Sequence, residues 1–324
     1  MADIMKNKGN LLISVIVPVY NRQGSLAISI KSIASQTYRP LELILVDNAS
    51  TDNTLSVCNE FMNSNSDDTL KIIVLSEQKP GANAARNKGI KFATGDYFYF
   101  FDSDDILYPG SLEIIYRQLF KNRFPESIAF PFILRFPDNK ISKRPHRYSC
   151  SPASQLFDTV LPTHGFLFKR SLISKTGMWD KNLFRWQDME FGFRILINTD
   201  KLVWIKGSPL YEVKVHTDSI SGNSYSVDHE LLYKTLLKIQ TIINDHKSLR
   251  SKNRLQRALC FRICSMASQI KLEGNEELGN KYFNDALNKL PLKCNYFSRY
   301  ILRFHYYYTG KGGRGFWRLA EIIL

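Results

Sequence analysis

The chemistry of this chain is concentrated at Asp102-Ser103-Asp104-Asp105, directly after five consecutive aromatic residues, Tyr97 to Phe101. An aromatic run bounded by Gly95 and by acids reads as a buried strand. Asp102 and Asp104 are two residues apart at its end, so on a continuing strand they are expected to point the same way. Side-by-side carboxylates repel unless a positive charge lies between them. Oxygen donors with no His or Cys nearby in sequence suit a hard or borderline cation, Mg²⁺ or Mn²⁺, of the kind that also takes phosphate oxygens. The competing role is a helix cap, with Asp104 or Asp105 opening the segment that starts near Pro109.

The elements that must position these acids alternate in type. Leu11–Val19 is apolar and β-branched and ends in Pro18-Val19-Tyr20-Asn21-Arg22. Ser25–Gln36 has helical spacing at Leu26, Ile30 and Ile33. Leu41–Asp47 is a second strand, and Asn48-Ala-Ser-Thr-Asp-Asn53 supplies turn and cap residues before another helix. Lys71–Leu75 is a third strand, Ala82–Ala93 a helix with Gly95 just past it, and Tyr97–Phe101 the fourth strand. Such alternation predicts right-handed βαβ units and a mostly parallel sheet. Ligands bind such sheets at the carboxyl ends of the strands, so Tyr20-Asn21, Asp47 and Asp102–Asp105 are expected to converge on one edge. Short strands are expected over Ser127–Arg135, then a Pro-, Lys- and Arg-rich loop over 137–152, and helices beyond Tyr225.

Composition narrows the classes. With 324 residues, 44% hydrophobic and 23% charged, the chain is ordinary globular protein with room for one large or two modest domains. No run of 18 apolar residues exists, and the first ten residues lack the apolar stretch of a signal peptide, so no membrane span or leader is expected. No G-x-G-x-x-G follows the first strand and no P-loop signature occurs, which disfavours dinucleotide dehydrogenases and P-loop NTPases. The five cysteines, Cys58, Cys150, Cys260, Cys264 and Cys294, are scattered and odd in number, as in a reducing compartment, and Cys260 and Cys264 read as core-facing helix residues. The net charge is +14, and residues 225–324 hold 17 Lys and Arg against 8 acids, which suggests an anionic partner.

Taken in order, the motifs resemble the family 2 glycosyltransferases with the GT-A fold. The pieces are Ser14-Val-Ile-Val-Pro-Val-Tyr-Asn21, Leu45-Val-Asp-Asn-Ala-Ser-Thr-Asp52, Gly81-Ala-Asn-Ala-Ala-Arg-Asn-Lys-Gly-Ile90 and Gly95 through Asp105. Gly177-Met-Trp-Asp180, Trp186-Gln-Asp-Met-Glu-Phe191 and His216-Thr-Asp-Ser-Ile-Ser221 follow. The resemblance covers roughly residues 11–225 and implies an α/β GT-A catalytic domain over 1–224. Its nucleotide-sugar half would span about 11–105 and its acceptor half about 106–224, with 225–324 a basic helical extension.

The resemblance also implies roles. Asp47 accepts from the N3–H of uracil or thymine, Tyr20 offers a face to the base, and Pro18 stiffens the strand exit. Asn21, Arg86, Asp102 and Ser103 complete the nucleotide-sugar site. The DxD pair is Asp102 and Asp104, with Asp104 the direct ligand of Mn²⁺ or Mg²⁺, His216 completing the metal or diphosphate site with Ser219 and Ser221 nearby, and Asp105 orienting the loop. Asp188 stands where the family keeps its catalytic acid, although Gln187 replaces the usual first Glu of Glu-Asp-x-Glu. A general base must reach the acceptor hydroxyl and be ionised, and a helix N-terminus favours that charge. His164 and Glu190 are placed on the acceptor side.

The implied activity is inverting, metal-dependent transfer of a sugar from a nucleotide sugar, a UDP-sugar first, to a hydroxyl of a glycan or lipid-linked acceptor. An inactive nucleotide-sugar-binding module is the alternative. A nucleic-acid-binding protein is a weaker one, lacking RNA-motif or zinc signatures, and nucleic acid is not expected as a partner. The expected location is cytoplasmic, at the inner membrane face if the tail attaches there. From Lys289 on, seven Lys and Arg interleave with nine aromatic residues against one acid. That pattern fits either an anionic membrane surface or a helical subdomain packed on itself.

Overall fold

The computed structural model describes residues 11–142, 148–215, 224–246, 252–290 and 296–324. Within these the chain forms two compact units. The first comprises the described residues of 1–146, 163–181 and 198–216, and the second those of 147–162, 182–197 and 217–324.

The first unit is built on β1 (Ile13–Val19), β2 (Leu41–Asp47), β3 (Leu70–Ser76) and β4 (Tyr97–Phe100). Helices α1 (Leu26–Ala34), α2 (Thr54–Asn65) and α3 (Ala82–Phe92) connect them. β1 pairs in parallel with both β2 and β4, and β2 with β3. β1, β2 and β4 carry few polar residues because a parallel sheet is covered on both faces; every residue of β2 and β4 is buried. Burying a side chain the size of Phe contributes about 1.5–3 kcal/mol, which makes the aromatic β4 a strong anchor for the acids after it. Gly95 brings that strand close to β1. Its amide donates to Ser14 Oγ at 2.9 Å, and a Cβ there would meet the same atom at 2.5 Å.

The short β5 (Ile106–Leu107) follows the acids, and α4 (Ser111–Lys121) leads on to β6 (Ser127–Ala129), β7 (Phe132–Arg135) and β8 (Ile141–Ser142). The expected Ser127–Arg135 stretch is therefore two strands in two sheets. Pro131 has no N–H to give a ladder, and the chain changes sheet there. β9 (Phe166–Lys169) pairs antiparallel with β4 and β6, and β10 (Leu202–Trp204) parallel with β6. The large sheet thus runs β10-β6-β9-β4-β1-β2-β3, mostly parallel. β11 (Tyr211–Lys214) joins β5, β7 and β8 in a second, four-stranded sheet.

The second unit is helical. It holds α5 (Pro152–Phe157), α7 (Gln187–Asn198) apart from its last residue, α8 (His229–Asp245), α9 (Lys252–Leu272), α10 (Glu276–Asn288), α11 (Tyr296–Thr309) and α12 (Trp317–Ile323); α6 (Ile173–Thr176) belongs to the first unit. Its core gathers α5 and α7 with the later helices around Phe157, Met189, Phe193, Phe261 and Tyr306. Packing therefore draws two segments from before residue 224 into the helical unit. Cys260 and Cys264 lie in this core.

Candidate active site

In the first unit, β1, β2 and β4 are neighbours and end on the same edge. The β1–β4 pairing stops at Ile16 and Phe100, two residues short of Pro18. Pro18 consequently costs no ladder bond to β4, and Asp102 to Asp105 follow just beyond the end of that pairing. The Asp102 backbone oxygen accepts from Ser29 Oγ at 3.3 Å.

The Asp102 carboxylate is held from two sides. Arg86 Nη2 on α3 donates to Oδ1 at 3.1 Å, and His164 Nδ1 lies 3.2 Å from Oδ2. Arg86 is buried, lies 4.7 Å over the Trp179 ring and donates to Asn83 Oδ1 at 3.2 Å. Asn83 and Asn87 bind the backbone oxygens of Asp180 and Trp179, both at 2.8 Å, which ties α3 to the 177–180 turn. Burial works against charge on Asp102, but the His164 hydrogen bond and the Arg86 charge outweigh it and hold the carboxyl well below the usual range. Asp105 is the opposite case. It is 2% exposed, and burial, with the charges of Asp102 and Asp104, pushes its carboxyl well above the usual range despite His164 and the Lys214 N–H. His164 Nδ1 lies 3.4 Å from Asp105 Oδ2, and the Lys214 amide donates to Oδ1 at 3.2 Å. Asp102, Asp105 and His164 thus bring ligand-type atoms within 4.8 Å of one another. Asp104 turns towards Arg22, with Nη2 at 3.5 Å, and Ser103 is buried.

At the end of β2, Asp47 is 4% exposed. Its Oδ2 accepts the Ser50 amide at a long 3.4 Å, while Oδ1 is buried with no hydrogen-bond donor among the described residues. The loop around it is tightly set. Asn21 and Ala49 both have positive φ, 48° and 58°, a conformation that costs a residue with a Cβ and persists only where surroundings enforce it. The enforcement is visible: Asn21 Oδ1 accepts the Thr51 amide at 2.9 Å, and Asn48 Oδ1 accepts the Gly81 amide at 2.7 Å. Tyr20 is 55% exposed beside this loop in sequence.

In the second unit, Asp188 lies in the first turn of α7 and its Oδ1 accepts the Met189 amide at 2.9 Å. The helix start is fixed by Gln155, which is fully buried in α5. Its Nε2 donates to the Asp188 and Leu161 oxygens, each at 3.2 Å, and its Oε1 accepts the amides of Val160 and Leu161, each at 2.9 Å. Gly192 is required there, since a Cβ would meet Gln155 Nε2 at 2.4 Å. Glu190 is buried and takes a two-point hydrogen bond from Arg194, 2.7 Å on each oxygen.

A sequence profile described as "Glycosyl transferase family 2" matches residues 14–178, half of the chain. The chain belongs to glycosyltransferase family 2. Curated relatives of this family 2 chain include "Glycosyltransferase GlyG" of Streptococcus pneumoniae, 42% identical over 33% of this chain and 35% of that protein. Another is "UDP-Glc:alpha-D-GlcNAc-diphosphoundecaprenol beta-1,3-glucosyltransferase WfgD" of Escherichia coli, 39% identical over 34% of this chain and 42% of that protein. The chain spans 35% and 42% of the length of these two curated relatives. The solved structure "S. aureus TarS 1-349 in complex with UDP-GlcNAc" superposes with a TM-score of 0.70 at 16% identity, over 96% of this chain and 91% of that one. That likeness establishes the GT-A type of fold.

Within the family 2 chain, the expected Asp47, Arg86, Asp102 and Ser103 all lie in one unit at or beside the strand ends. The described residues also gather Asp105 and His164 onto Asp102, where the sequence placed His164 with the acceptor and gave Asp105 a loop role. Glu190, expected on the acceptor side, has both oxygens engaged by Arg194. His216, with Ser219 and Ser221, lies outside the described residues. Trp179 and Asn83 also belong to this cluster; the sequence marks Trp179 only through the Gly177-Met-Trp-Asp180 motif and gives Asn83 no role. Gln155 carries no local signal at all.

Proposed function

We propose that this chain moves one sugar from a UDP-sugar to a hydroxyl of a glycan or lipid-linked acceptor, with inversion at the anomeric carbon. The observation that carries the donor assignment is Asp47. One of its oxygens is occupied by the Ser50 amide and the other is buried without a donor. A uracil N3–H, like that of thymine, supplies the single donor that the free oxygen lacks, whereas guanine would present two neighbouring N–H groups. Tyr20 offers its exposed ring to the base. Arg86 sets Asp102 beside the ribose and diphosphate, with Asn21 and Ser103 lining the same edge.

The residues present fit a divalent cation. A cation that also touches the donor diphosphate needs solvent-facing oxygens, and the Asp102 and Asp104 side chains are 33% and 21% exposed against 2% for Asp105. Asp102 and Asp104 would hold it, with His216 as a third ligand, while Arg86 and His164 anchor the Asp102 carboxylate. When bound, Mn²⁺ or Mg²⁺ supplies positive charge to the diphosphate.

Asp188 is the general base. The acceptor oxygen attacks the anomeric carbon opposite the diphosphate, its proton passes to Asp188, and the bond to the leaving UDP breaks. An α-linked donor gives a β-linked product without a covalent enzyme intermediate. Gln155 and Gly192 keep Asp188 at a fixed place on α7, which such a proton transfer demands.

A lipid-linked acceptor would bring the reaction to the inner face of the cell membrane, with the chain attached peripherally. Among the described residues no helix is long and apolar enough to cross a membrane. The test is a panel of UDP-, dTDP- and GDP-sugars assayed with Mn²⁺ or Mg²⁺ for nucleoside diphosphate release. Metal-dependent turnover of a UDP-sugar is expected; turnover confined to GDP-sugars would overturn the Asp47 reading.

A further inference from the structure

The solvent face of a surface helix is ordinarily polar. Helix α11 inverts this. Ser298, Ile301, Leu302, His305 and Tyr306 are buried, yet six of the eight exposed positions are aromatic: Tyr296, Phe297, Tyr300, Phe304, Tyr307 and Tyr308. The other two are Arg299 and Arg303. Tyr296 is 92% exposed and Tyr300 64%. At 3.6 residues per turn, Tyr296, Tyr300, Phe304 and Tyr307 form one stripe with the two arginines along one flank. The segment after the helix continues the pattern. Lys311, Arg314 and Arg318 are exposed beside Leu319 and Ile322, the latter 83% exposed. The single acid there, Glu321, accepts a hydrogen bond from Ser154 Oγ at 2.5 Å.

We propose that α11 is an interfacial helix that seats this chain on an anionic lipid surface, its aromatic stripe at headgroup depth and its arginines on lipid phosphates. Contiguous exposed apolar area of this kind marks an interaction site. Tyrosine, with an apolar ring and a polar tip, suits the zone between acyl chains and water, and Arg beside it supplies charge complementarity to an anionic leaflet. A second copy of the chain fits less well: apposing this face to itself would set arginines against arginines with no acid on the helix to pair them. The inference rests on the reading of a lipid-linked acceptor, which makes surface attachment useful.

The test is flotation of the full chain with phosphatidylcholine vesicles with and without phosphatidylglycerol, containing neither donor nor acceptor. Binding is expected only with phosphatidylglycerol and is expected to weaken with salt. R299Q/R303Q should lower it roughly tenfold or more at low salt, and Y296S/Y300S should lower it at both low and high salt. These side chains are exposed, so both variants should keep the parent melting temperature. Absence of binding to anionic vesicles, or binding unchanged in both variants, overturns the proposal. So does light scattering that shows the variants converting a dimer to a monomer, or a single-stranded oligonucleotide that binds this face while vesicles do not. Calorimetry of UDP on the same preparations reports the nucleotide site separately, so loss of one property is distinguishable from loss of the other.

Discussion

Asp47→Asn separates a recognition residue from a turn cap, because the two roles predict opposite pairs of results. Asp47 is 4% exposed, with one oxygen unpaired among the described residues and the other 3.4 Å from the Ser50 amide. A contact that long contributes little to the 48–53 turn. In the free protein the substitution replaces a buried acceptor lacking its donor with a neutral amide, so stability should be unchanged or slightly higher. With UDP bound, the carboxylate gives the base a charged acceptor, whereas the amide can give only a neutral oxygen or turn its NH₂ towards the N3–H. A hydrogen bond to a charged group contributes about 1.5–3 kcal/mol, so UDP affinity should fall roughly 10- to 150-fold. Titration calorimetry of UDP with Mn²⁺ and thermal denaturation of the free protein measure the two quantities. Unchanged affinity together with a lowered melting temperature would refute the recognition role and make Asp47 a structural cap.

Asp188→Asn should retain UDP affinity while transfer falls about 10²-fold or more, because only the proton acceptor is removed; near-normal transfer would remove Asp188 as the base. Asp104→Ala should abolish the enhancement of UDP affinity by Mn²⁺, and calorimetry showing the same enhancement as the parent would leave these acids as a cap alone. The helical unit should also be acid-sensitive through His305, whose ring is 5% exposed between Ser265 and Thr309 and stacks on Phe261. Burial lowers its pKa from 6.5 to about 4. The unfolded chain therefore binds the extra proton first, so this stabilisation is complete above about pH 6.5 and is lost as pH falls towards about 4, to a total of about 3 kcal/mol. His305→Phe should flatten the dependence of denaturant-unfolding stability on pH across that window, and a slope identical to the parent would contradict it.

What the sequence determined by itself is the part of the molecule written in local patterns. The strands β1, β2 and β4 announce themselves as apolar runs because they are covered on both faces, and each ends in residues that do not belong in a core: Tyr20-Asn21, Asp47 and Asp102. Strand ends in a parallel sheet point to one edge, so the convergence of these residues on that edge followed from chain order alone. Cys260 and Cys264 were likewise readable, since helical spacing fixes which side chains share a face. The tertiary structure decided what depends on residues far apart. His164 reaches Asp102 across 62 positions, and no spacing rule spans such a distance. Whether Asp105 is a ligand, a loop anchor or a buried acid depends on how much solvent its neighbours leave it. The chain's change of sheet at Pro131, the recruitment of 148–162 and 182–197 into the helical unit, and the clamp that Gln155 places on α7 are long-range packing outcomes. The exposed face of α11 belongs with them. Its aromatic residues alone fit either a packed or a surface helix, and only the side taken by Ile301, Leu302 and Tyr306 in the core shows which aromatics are left facing water.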